Sequence, residues 1–305
     1  MRAVVMDRLG PPGVLTSREV AEPVPGDDEV LVRVAAVGVN PIDWATRAGA
    51  GVGVPAFPAV LGWDVCGTVA APSGQWRPGD QVFGMLRFPA LAGAYAEYVA
   101  APADELVRVP DGVDAHTAAA MPMVALTAWQ SLVTHGELTA GQRVLVPGAA
   151  GGVGHVAVQL AAAAGAEVTG TASRANRDFV AGLGAGRVVD HDGLAALAGE
   201  FDVVIDPRGG ADFERLLAVL RPGGIIVTLK GEAPGTRELA RASGVRAAFT
   251  YVQPDGAVLT EVANLMAHGR VTAAVERVLP LADAAVAHEI GERGHVRGKL
   301  VLDVS

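Results

Sequence analysis

The chain has 305 residues, 50% of them hydrophobic, which is enough for two domains that each bury a core. Its formal net charge of −9 at pH 7 and the absence of a basic run argue against nucleic acid or an acidic membrane as a partner. No run approaches the ~20 apolar residues of a membrane span, and the N-terminus lacks the apolar core of a signal peptide, so we expect a soluble, cytoplasmic protein.

The N-terminal third of the chain has the pattern of an all-β domain. Short runs of alternating hydrophobicity are separated by clusters of Pro and Gly, with little helical periodicity between them. These runs predict strands over residues 3–6, 29–37, 65–70 and 95–99. From 115 to 134 a helical pattern takes over, and one face of it would hold Met121, Val124, Ala125, Ala128 and Leu132.

Residues 143–165 carry the most informative pattern in the chain. A strand over 144–147 runs into a glycine-rich turn, and a helix over 154–164 ends at a glycine, as left-handed caps favour. Ala149, Gly151 and Gly154 fall on the first, third and sixth positions of the dinucleotide-binding fingerprint. Gly151 would let the backbone approach a pyrophosphate at the helix N-terminus, and Gly154 would let helix and strand pack closely. An ordinary strand-to-helix turn is the alternative interpretation.

Strands and helices alternate through the rest of the middle segment. Strands are predicted over 167–171, 187–189, 201–205 and 225–229, helices over 174–181 and 212–220, and a turn at 221–224. This alternation predicts an α/β fold with a doubly wound parallel sheet. A helix over 256–267 then precedes strands over 274–278 and 299–304, which resemble the N-terminal strands. We therefore expect the C-terminus to return to the first domain, with boundaries near 115 and 255.

The end of the second strand of this sheet bears on which nicotinamide is bound. An NAD site has an acidic residue there, which binds the ribose hydroxyls, whereas the acid of this strand, Glu167, lies at its start. Ser173, Arg174 and Arg177 follow the strand instead and predict a site for the 2′-phosphate of NADPH. Alternatively, Ser173 is only the N-cap of the next helix and the two arginines are solvated surface charges.

Seven segments spread over nearly the whole chain resemble one family. They are VGVNPIDW (37–44), LGWDVCGTV (61–69), RPGDQVFG (77–84), GAYAEYV (93–99), AAGGVGHVAVQLA (149–161), LRPGG (220–224) and HVRGKLVLDV (295–304). With these motifs in this order, the chain resembles the zinc-independent quinone oxidoreductase branch of the medium-chain dehydrogenase/reductase superfamily.

The resemblance implies both a fold and an activity. A GroES-like β domain would be formed by residues 1–115 and 256–305, with a Rossmann domain, 116–255, inserted between them and an active-site cleft where the two meet. The activity implied is hydride transfer from NADPH to a quinone or to the C=C bond of an enone or enoyl thioester, by a homodimer. The alternative is an NADPH-binding redox-sensing or structural protein without turnover, as crystallin-like relatives show is possible on this fold.

The chain differs from the zinc-using relatives at the positions of their metal ligands. Where those relatives have a ligating cysteine this chain has Asn40, and where they have a His-Glu pair it has Trp63 and Asp64. An isolated aspartate would hold Zn²⁺ poorly. The single cysteine, Cys66, lies in an apolar run, where a buried, inert thiol is expected, and it leaves no cysteine cluster for zinc. We therefore expect a reaction without a metal ion.

Asn40 is the candidate catalytic residue. By resemblance it faces the nicotinamide and the substrate, where its amide would donate to a carbonyl oxygen that gains charge as hydride arrives. Its alternative role is local, because Asn before Pro41 often fixes a turn. In many similar enoyl reductases a tyrosine that helps to protonate the product would fall at Gly51 or Val52, so the proton donor is unassigned here and water is the candidate.

The resemblance assigns further residues to the cofactor and the substrate. The cofactor site would include Asn40, the residues of the glycine-rich turn and the phosphate site named above, and also Thr127, Ala150, Gly152, Val153 and His191. The alternative for His191 is a surface histidine without a role. His155 would touch the pyrophosphate, but only its place in the first helical turn suggests this contact. The substrate pocket would be lined by Trp44, Phe57 and Trp63. With Phe88 and Trp129 they would line a largely apolar cleft, although at least two of the five are expected to be core only. The glycine and alanine residues of the 48–54 loop leave room for a flat, apolar acceptor such as a quinone or cyclic enone.

Overall fold

The computed structural model of the protein describes residues 1–209, 212–231 and 234–305, which divide into two compact units: unit 1, Met1–Leu126 with Gln253–Ser305, and unit 2, Thr127–Val252. The strands are β1 Arg2–Met6, β2 Leu15–Glu19, β3 Glu29–Val39, β4 Ala59–Val60, β5 Asp64–Val69, β6 Gln81–Met85, β7 Tyr98–Pro102, β8 Leu106–Arg108, β9 Arg143–Val146, β10 Glu167–Thr171, β11 Arg187–Val189, β12 Phe201–Asp206, β13 Leu220–Thr228, β14 Arg246–Phe249, β15 Val275–Pro280 and β16 Lys299–Asp303. The α-helices are α1 Pro41–Ala48, α2 Ala115–Ala120, α3 Pro122–Trp129, α4 Gly152–Ala163, α5 Arg177–Gly182, α6 Phe213–Val219, α7 Thr236–Ala242, α8 Gly256–Ala267 and α9 Ala284–Arg293, and Gln130–His135 continues α3 in π-helical form.

Unit 1 is built from two sheets. The smaller has the order β2-β1-β4, and the larger runs β15-β16-β3-β5-β6-β8, with β7 also paired to β3. Along β3 the valines Val30, Val32 and Val34 are buried and alternate with more exposed neighbours, as a strand with one face on a core requires. The C-terminal strand β16 pairs antiparallel with β3 and buries Leu302 in the same core, so the C-terminus does return to the first domain.

The first observed boundary lies later than the sequence predicts. Helix α2 belongs to unit 1, because it packs on β3 so closely that a Cβ on Gly38 would lie 2.4 Å from the carbonyl oxygen of Ala119. The helical pattern begins at 115, so the sequence predicts a middle domain over 116–255. Periodicity marks the start of a helix but does not show which sheet the helix covers, and the observed division follows Leu126.

Unit 2 is a six-stranded parallel sheet with the order β11-β10-β9-β12-β13-β14. In chain order this is 3-2-1-4-5-6, the arrangement of the dinucleotide-binding doubly wound fold. The α/β class, with a doubly wound Rossmann domain, is thereby confirmed. The order reverses between β9 and β12, and ligands of such sheets bind at the carboxyl ends of the strands on either side of that point.

One local prediction in unit 2 was wrong. The sequence predicts a turn at 221–224 before a strand over 225–229, whereas β13 already begins at Leu220. Leu220 pairs with Phe201, and the register then shifts before Val203 pairs with Ile225, so a bulge absorbs the Pro-Gly-Gly residues. Among the described residues, no helix is both long and apolar enough to cross a membrane.

Candidate functional site

The glycine-rich turn of unit 2 connects β9 to α4 at the point where the strand order reverses. Helix α4 begins at Gly152, two residues before its predicted start, and the first N–H groups of any helix have no acceptor within the helix. A Cβ on Gly154 would lie 2.4 Å from the carbonyl oxygen of Gly148 and 2.9 Å from Cα of Ala149. The turn is therefore closed tightly under the helix N-terminus, which leaves backbone N–H groups directed at an incoming anion. This geometry fits a dinucleotide pyrophosphate.

The end of β10 is tied to this turn and carries two exposed cations. Thr171 Oγ1 accepts a hydrogen bond of 3.0 Å from the N–H of Gly148. Ser173 follows at the N-cap position of a short 3₁₀ turn, as its alternative role predicts, but its side chain forms no capping hydrogen bond. Arg174 and Arg177 are exposed, and within the described part of the chain neither forms an ion pair. Three donors suited to a phosphate thus follow β10, and the first acid after the strand is Asp178.

The other predicted cofactor residues of unit 2 differ in their surroundings. His191 Nε2 lies 3.2 Å from Asp212 Oδ1, so this ring already faces a carboxylate. Thr127 is 8% exposed and its carbonyl accepts from the hydroxyl of Ser131, which also bonds Thr250. His155 is fully buried and its Nδ1 lies 2.9 Å from the carbonyl oxygen of Gly151, which argues against its predicted contact with a pyrophosphate. Ala150 is buried, and Gly152 and Val153 are partly exposed at the start of α4.

Asn40 of unit 1 lies in a buried polar cluster. It occupies the N-cap position of α1, where its backbone N–H donates to Asp43 Oδ2 at 2.6 Å, but its side chain forms no capping hydrogen bond. Its side chain is engaged elsewhere: Nδ2 donates to Asp64 Oδ2 at 2.8 Å, and Oδ1 accepts from the ammonium of Lys299. The residue is only 1% exposed. An amide nitrogen has two hydrogens, and the second has no partner among the described residues.

Two carboxylates and one ammonium share this cluster. Lys299 Nζ also donates to the carbonyl oxygen of Val39 at 2.7 Å and lies 4.0 Å from Asp64 Oδ2. Burial raises the pKa of Asp64 to about 6, against the opposing effects of Lys299 and of its hydrogen bonds. Burial likewise raises the pKa of Asp43 to about 7, and it lowers the pKa of Lys299.

A second layer of polar residues surrounds the cluster. The Tyr95 hydroxyl forms a hydrogen bond of 3.0 Å with His288 Nε2 and lies beside the Asp43 carboxylate. Among the described residues, Asp43 Oδ1 has no hydrogen bond of good geometry. Burial, followed by the charge of Arg47, lowers the pKa of His288 to about 3, so this histidine is neutral at physiological pH. Arg47 is 2% exposed and pairs with Glu292 of α9.

Sequence reasoning did not assign Lys299, Tyr95 or His288 to any site. The one available signal was at Lys299, because the chain has only two lysines and this one is followed directly by three apolar residues in the strand KLVLD. A lysine in such a strand is buried only when partners compensate its charge. Tyr95 and His288 gave no comparable signal, since their contact joins residues 193 positions apart.

The predicted substrate pocket needs one correction. Trp63 has no exposed surface, its indole N–H donates to the carbonyl oxygen of Ala90 at 2.7 Å, and its ring packs edge-on against Phe88, so it is a core residue of unit 1 and not a pocket residue. Trp44 is partly buried and packs against Gly291 and His288 of α9. Phe57 is 42% exposed. Trp63 and Phe88 are thus the core aromatics that were expected among the five, and Trp44 and Phe57 stay predictions.

Asn40 and Asp64, which stand where zinc-using relatives have ligands, lie close together, but they do not form a metal site. Asn40 and Asp64 are hydrogen-bonded to each other, whereas the side chain of Trp63 points to another partner. Within residues 1–209, 212–231 and 234–305, no group of three His, Cys, Asp or Glu side chains is placed to hold a metal ion. Cys66 is buried, as expected, and burial raises the pKa of its thiol to about 12. Metal independence stays a prediction.

The neutral His288 predicts a pH dependence of stability. Because its folded pKa of about 3 lies below the ordinary value of 6.5, the unfolded chain binds a proton that the folded chain does not, between these pH values. The stability that His288 contributes is thus complete above pH 6.5 and is lost as the pH falls towards 3. We expect the free energy of unfolding to fall by up to ~1.4 kcal/mol per pH unit more steeply than in His288→Gln. Urea unfolding of both proteins at several pH values tests this, and parallel profiles would contradict it.

Two family models match the chain. "Alcohol dehydrogenase GroES-like domain" matches residues 26–111, within unit 1, and "Zinc-binding dehydrogenase" matches residues 183–302. The quinone oxidoreductase of Sus scrofa is 32% identical over 324 residues, which cover 99% of this chain and 97% of the relative.

Solved structures agree with these matches. The quinone oxidoreductase from Coxiella burnetii is 34% identical with a TM-score of 0.93, over 100% of this chain and 99% of that chain. The Escherichia coli quinone oxidoreductase complexed with NADPH is 27% identical with a TM-score of 0.88, over 100% of both chains. The family resemblance carried by the seven motifs is thus confirmed. The chain is an oxidoreductase that belongs to the quinone oxidoreductase branch of the medium-chain dehydrogenase/reductase superfamily.

Proposed function

We propose that this protein is an NADPH-dependent reductase that transfers hydride to a quinone or to the activated C=C bond of an enone without a metal ion. The observation that carries the proposal is the carboxyl edge of the unit 2 sheet. A tightly closed glycine turn there suits a pyrophosphate, and the neighbouring strand is followed by Ser173, Arg174 and Arg177. The Escherichia coli relative, whose structure contains NADPH, supports this choice of cofactor.

Different residues of unit 2 would bind the pyrophosphate and the 2′-phosphate of the cofactor. Backbone N–H groups at Gly152 and Val153 would bind the pyrophosphate, where the helix dipole favours negative charge. The Ser173 hydroxyl and the guanidinium groups of Arg174 and Arg177 would bind the 2′-phosphate with charge-assisted hydrogen bonds. When bound, NADPH supplies a hydride.

Asn40 of unit 1 is the group proposed to stabilise the acceptor. One Nδ2–H is committed to Asp64, and the second would donate to the carbonyl or quinone oxygen as negative charge develops on it. No tyrosine occupies positions 51 or 52, and the Tyr95 hydroxyl is engaged by His288 Nε2. We therefore assign the proton that completes the reaction to solvent.

The chemistry of such a site orders the acceptors. An amide donor stabilises an oxyanion less than a metal ion or a strong general acid does, so the acceptor itself must carry the charge well. A quinone does so because the hydroquinone anion is stable, and an activated enone does so through its enolate. Enoyl esters should react more slowly, and simple ketones and alcohols should not react.

Arg174→Ala should separate the two nicotinamide cofactors. Losing a charge-assisted hydrogen bond to the 2′-phosphate should weaken NADPH binding by ~1.5 to 3 kcal/mol and leave NADH binding nearly unchanged. Titration of each cofactor by nicotinamide fluorescence measures both dissociation constants. Arg246→Ala is the matched control, because this exposed arginine of the same unit lies at the amino end of β14, on the opposite edge of the parallel sheet. Equal losses for NADPH and NADH in Arg174→Ala would overturn the assignment.

A further inference from the structure

Lys299 is a buried cation with no role in the cofactor site. It begins β16, is 3% exposed, and directs its ammonium to Val39 O and to Asn40 Oδ1. Burying an ammonium is unfavourable unless its partners are well placed. Asp64 Oδ2, 4.0 Å from the ammonium, compensates its charge without a direct hydrogen bond. The ammonium donates its hydrogen bonds to the side chain of Asn40 and to Val39 O, in the strand before Asn40.

The partners of Asn40 determine which way its amide points. An ammonium can only donate hydrogen bonds, and a carboxylate can only accept them. Lys299 therefore binds the amide oxygen, and Asp64 binds the amide nitrogen. Rotating the amide by half a turn would place N–H groups against the ammonium and the amide oxygen against the carboxylate. Both contacts would be repulsive, and the amide is held in one orientation.

We propose that Lys299 is a positioning residue that, together with Asp64, fixes and polarises the Asn40 amide so that its second N–H is presented to the oxygen of the acceptor. This inference rests on the proposed function, in which that N–H stabilises the developing oxyanion. A hydrogen bond from a cation to the amide oxygen draws electron density away from the amide nitrogen, which makes the remaining N–H a stronger donor. Asp64 then completes the orientation from the other side.

A purely structural role for Lys299 makes a different prediction. If its ammonium only balanced two buried carboxylates, its loss would lower stability without a specific effect on hydride transfer. Binding of NADPH provides a second reference, because the proposed cofactor residues that hold the pyrophosphate and the 2′-phosphate all lie in unit 2. The measurements are therefore the single-turnover rate of NADPH oxidation by a saturating quinone, the quinone KM, the NADPH dissociation constant and the midpoint of thermal unfolding.

The experiment compares Lys299→Met with Asn40→Ala and with the double variant. We expect Lys299→Met to lower the single-turnover rate ~10- to 100-fold, as misplacement of a reacting group does, with the NADPH dissociation constant within about twofold of the unmodified protein. Lys299→Met should change the rate little further once Asn40 is alanine, since both act through one N–H. Lys299→Arg, which keeps the charge and the donors, should retain more of the rate than Lys299→Met. Arg18→Met, which removes an exposed cation paired with Asp7, is the control and should keep the full rate.

Asp64→Asn combined with Lys299→Met keeps the test decisive if Lys299→Met alone does not fold. This pair removes both charges together, and the amide nitrogen introduced at position 64 would then face Asn40 and favour the reversed orientation of its amide. We expect a folded protein with the same loss of rate. A normal rate in either folded variant, while Asn40→Ala is slow, would overturn this inference alone. An unmodified protein that oxidises no NADPH with any acceptor would instead refute the proposed function.

Discussion

Asn40→Ala should lower the rate of NADPH oxidation by a quinone ~10- to 1000-fold, the range for loss of one donor to a developing oxyanion. The variant keeps every residue of unit 2 proposed to hold the cofactor, so the NADPH dissociation constant should stay within about twofold, well under the tenfold change that 1.4 kcal/mol would give. The effect should appear in the single-turnover rate more than in the quinone KM, because the hydrogen bond strengthens as charge develops.

Loss of the amide also disturbs the polar cluster, so stability has to be measured beside the rate. Asp64 Oδ2 and Lys299 Nζ each lose a partner in Asn40→Ala, which should cost ~1 to 3 kcal/mol of the free energy of unfolding. Asn264→Ala removes an exposed amide from α8 and should preserve both rate and stability. A folded Asn40→Ala with the full rate would show that the Asn40 side chain serves only the buried polar cluster and takes no part in the reaction.

Gly154→Val should weaken NADPH binding by up to ~100-fold. A Cβ at this position would lie 2.4 Å from Gly148 O, a backbone atom that cannot move without opening the turn. Overpacking of this kind costs ~1 to 3 kcal/mol. If the turn opens to relieve it, the N–H groups at the start of α4 lose their alignment with the pyrophosphate, and NADPH binding weakens.

Gly182→Ala provides the matched control for that variant. Gly182 ends α5, its added Cβ would meet nothing within 4 Å, and its φ is not positive. It should bind NADPH as the unmodified protein does. Normal NADPH affinity in a folded Gly154→Val would contradict the assignment of the turn as the pyrophosphate site.

The elements of unit 2 were predictable because their signals are local. The turn from β9 to α4 is marked within a dozen residues, and alternating strands and helices admit few topologies besides a parallel sheet. The acid-free end of β10 can be read from five consecutive residues in the same way. By contrast, the partner of α2 could not be read from its own sequence, because an amphipathic pattern shows that a face is buried without showing against what.

The polar cluster of unit 1 lies beyond local reasoning. Asn40 was singled out, but its contact with Lys299 joins residues 259 positions apart, and its contact with Asp64 spans 24. Both depend on the registers in which β16 and β5 pair with β3. Trp63 illustrates the same difficulty, since the residue next to it, Asp64, turns towards Asn40 while the tryptophan turns into the core. A slip of one residue along the strand would exchange the two sides.

Acceptor specificity distinguishes a metal-free quinone reductase from an alcohol dehydrogenase and from a cofactor-binding protein without turnover. Purified protein would be mixed with NADPH in buffer containing a metal chelator, and oxidation of the reduced nicotinamide would be followed by absorbance with quinones, activated enones, enoyl esters, simple ketones and, in reverse with NADP⁺, alcohols. We expect fast oxidation with quinones and activated enones, slower oxidation with enoyl esters, and none with the others. NADPH that binds but is never oxidised, or alcohols oxidised at rates comparable to quinone reduction, would contradict the proposed function.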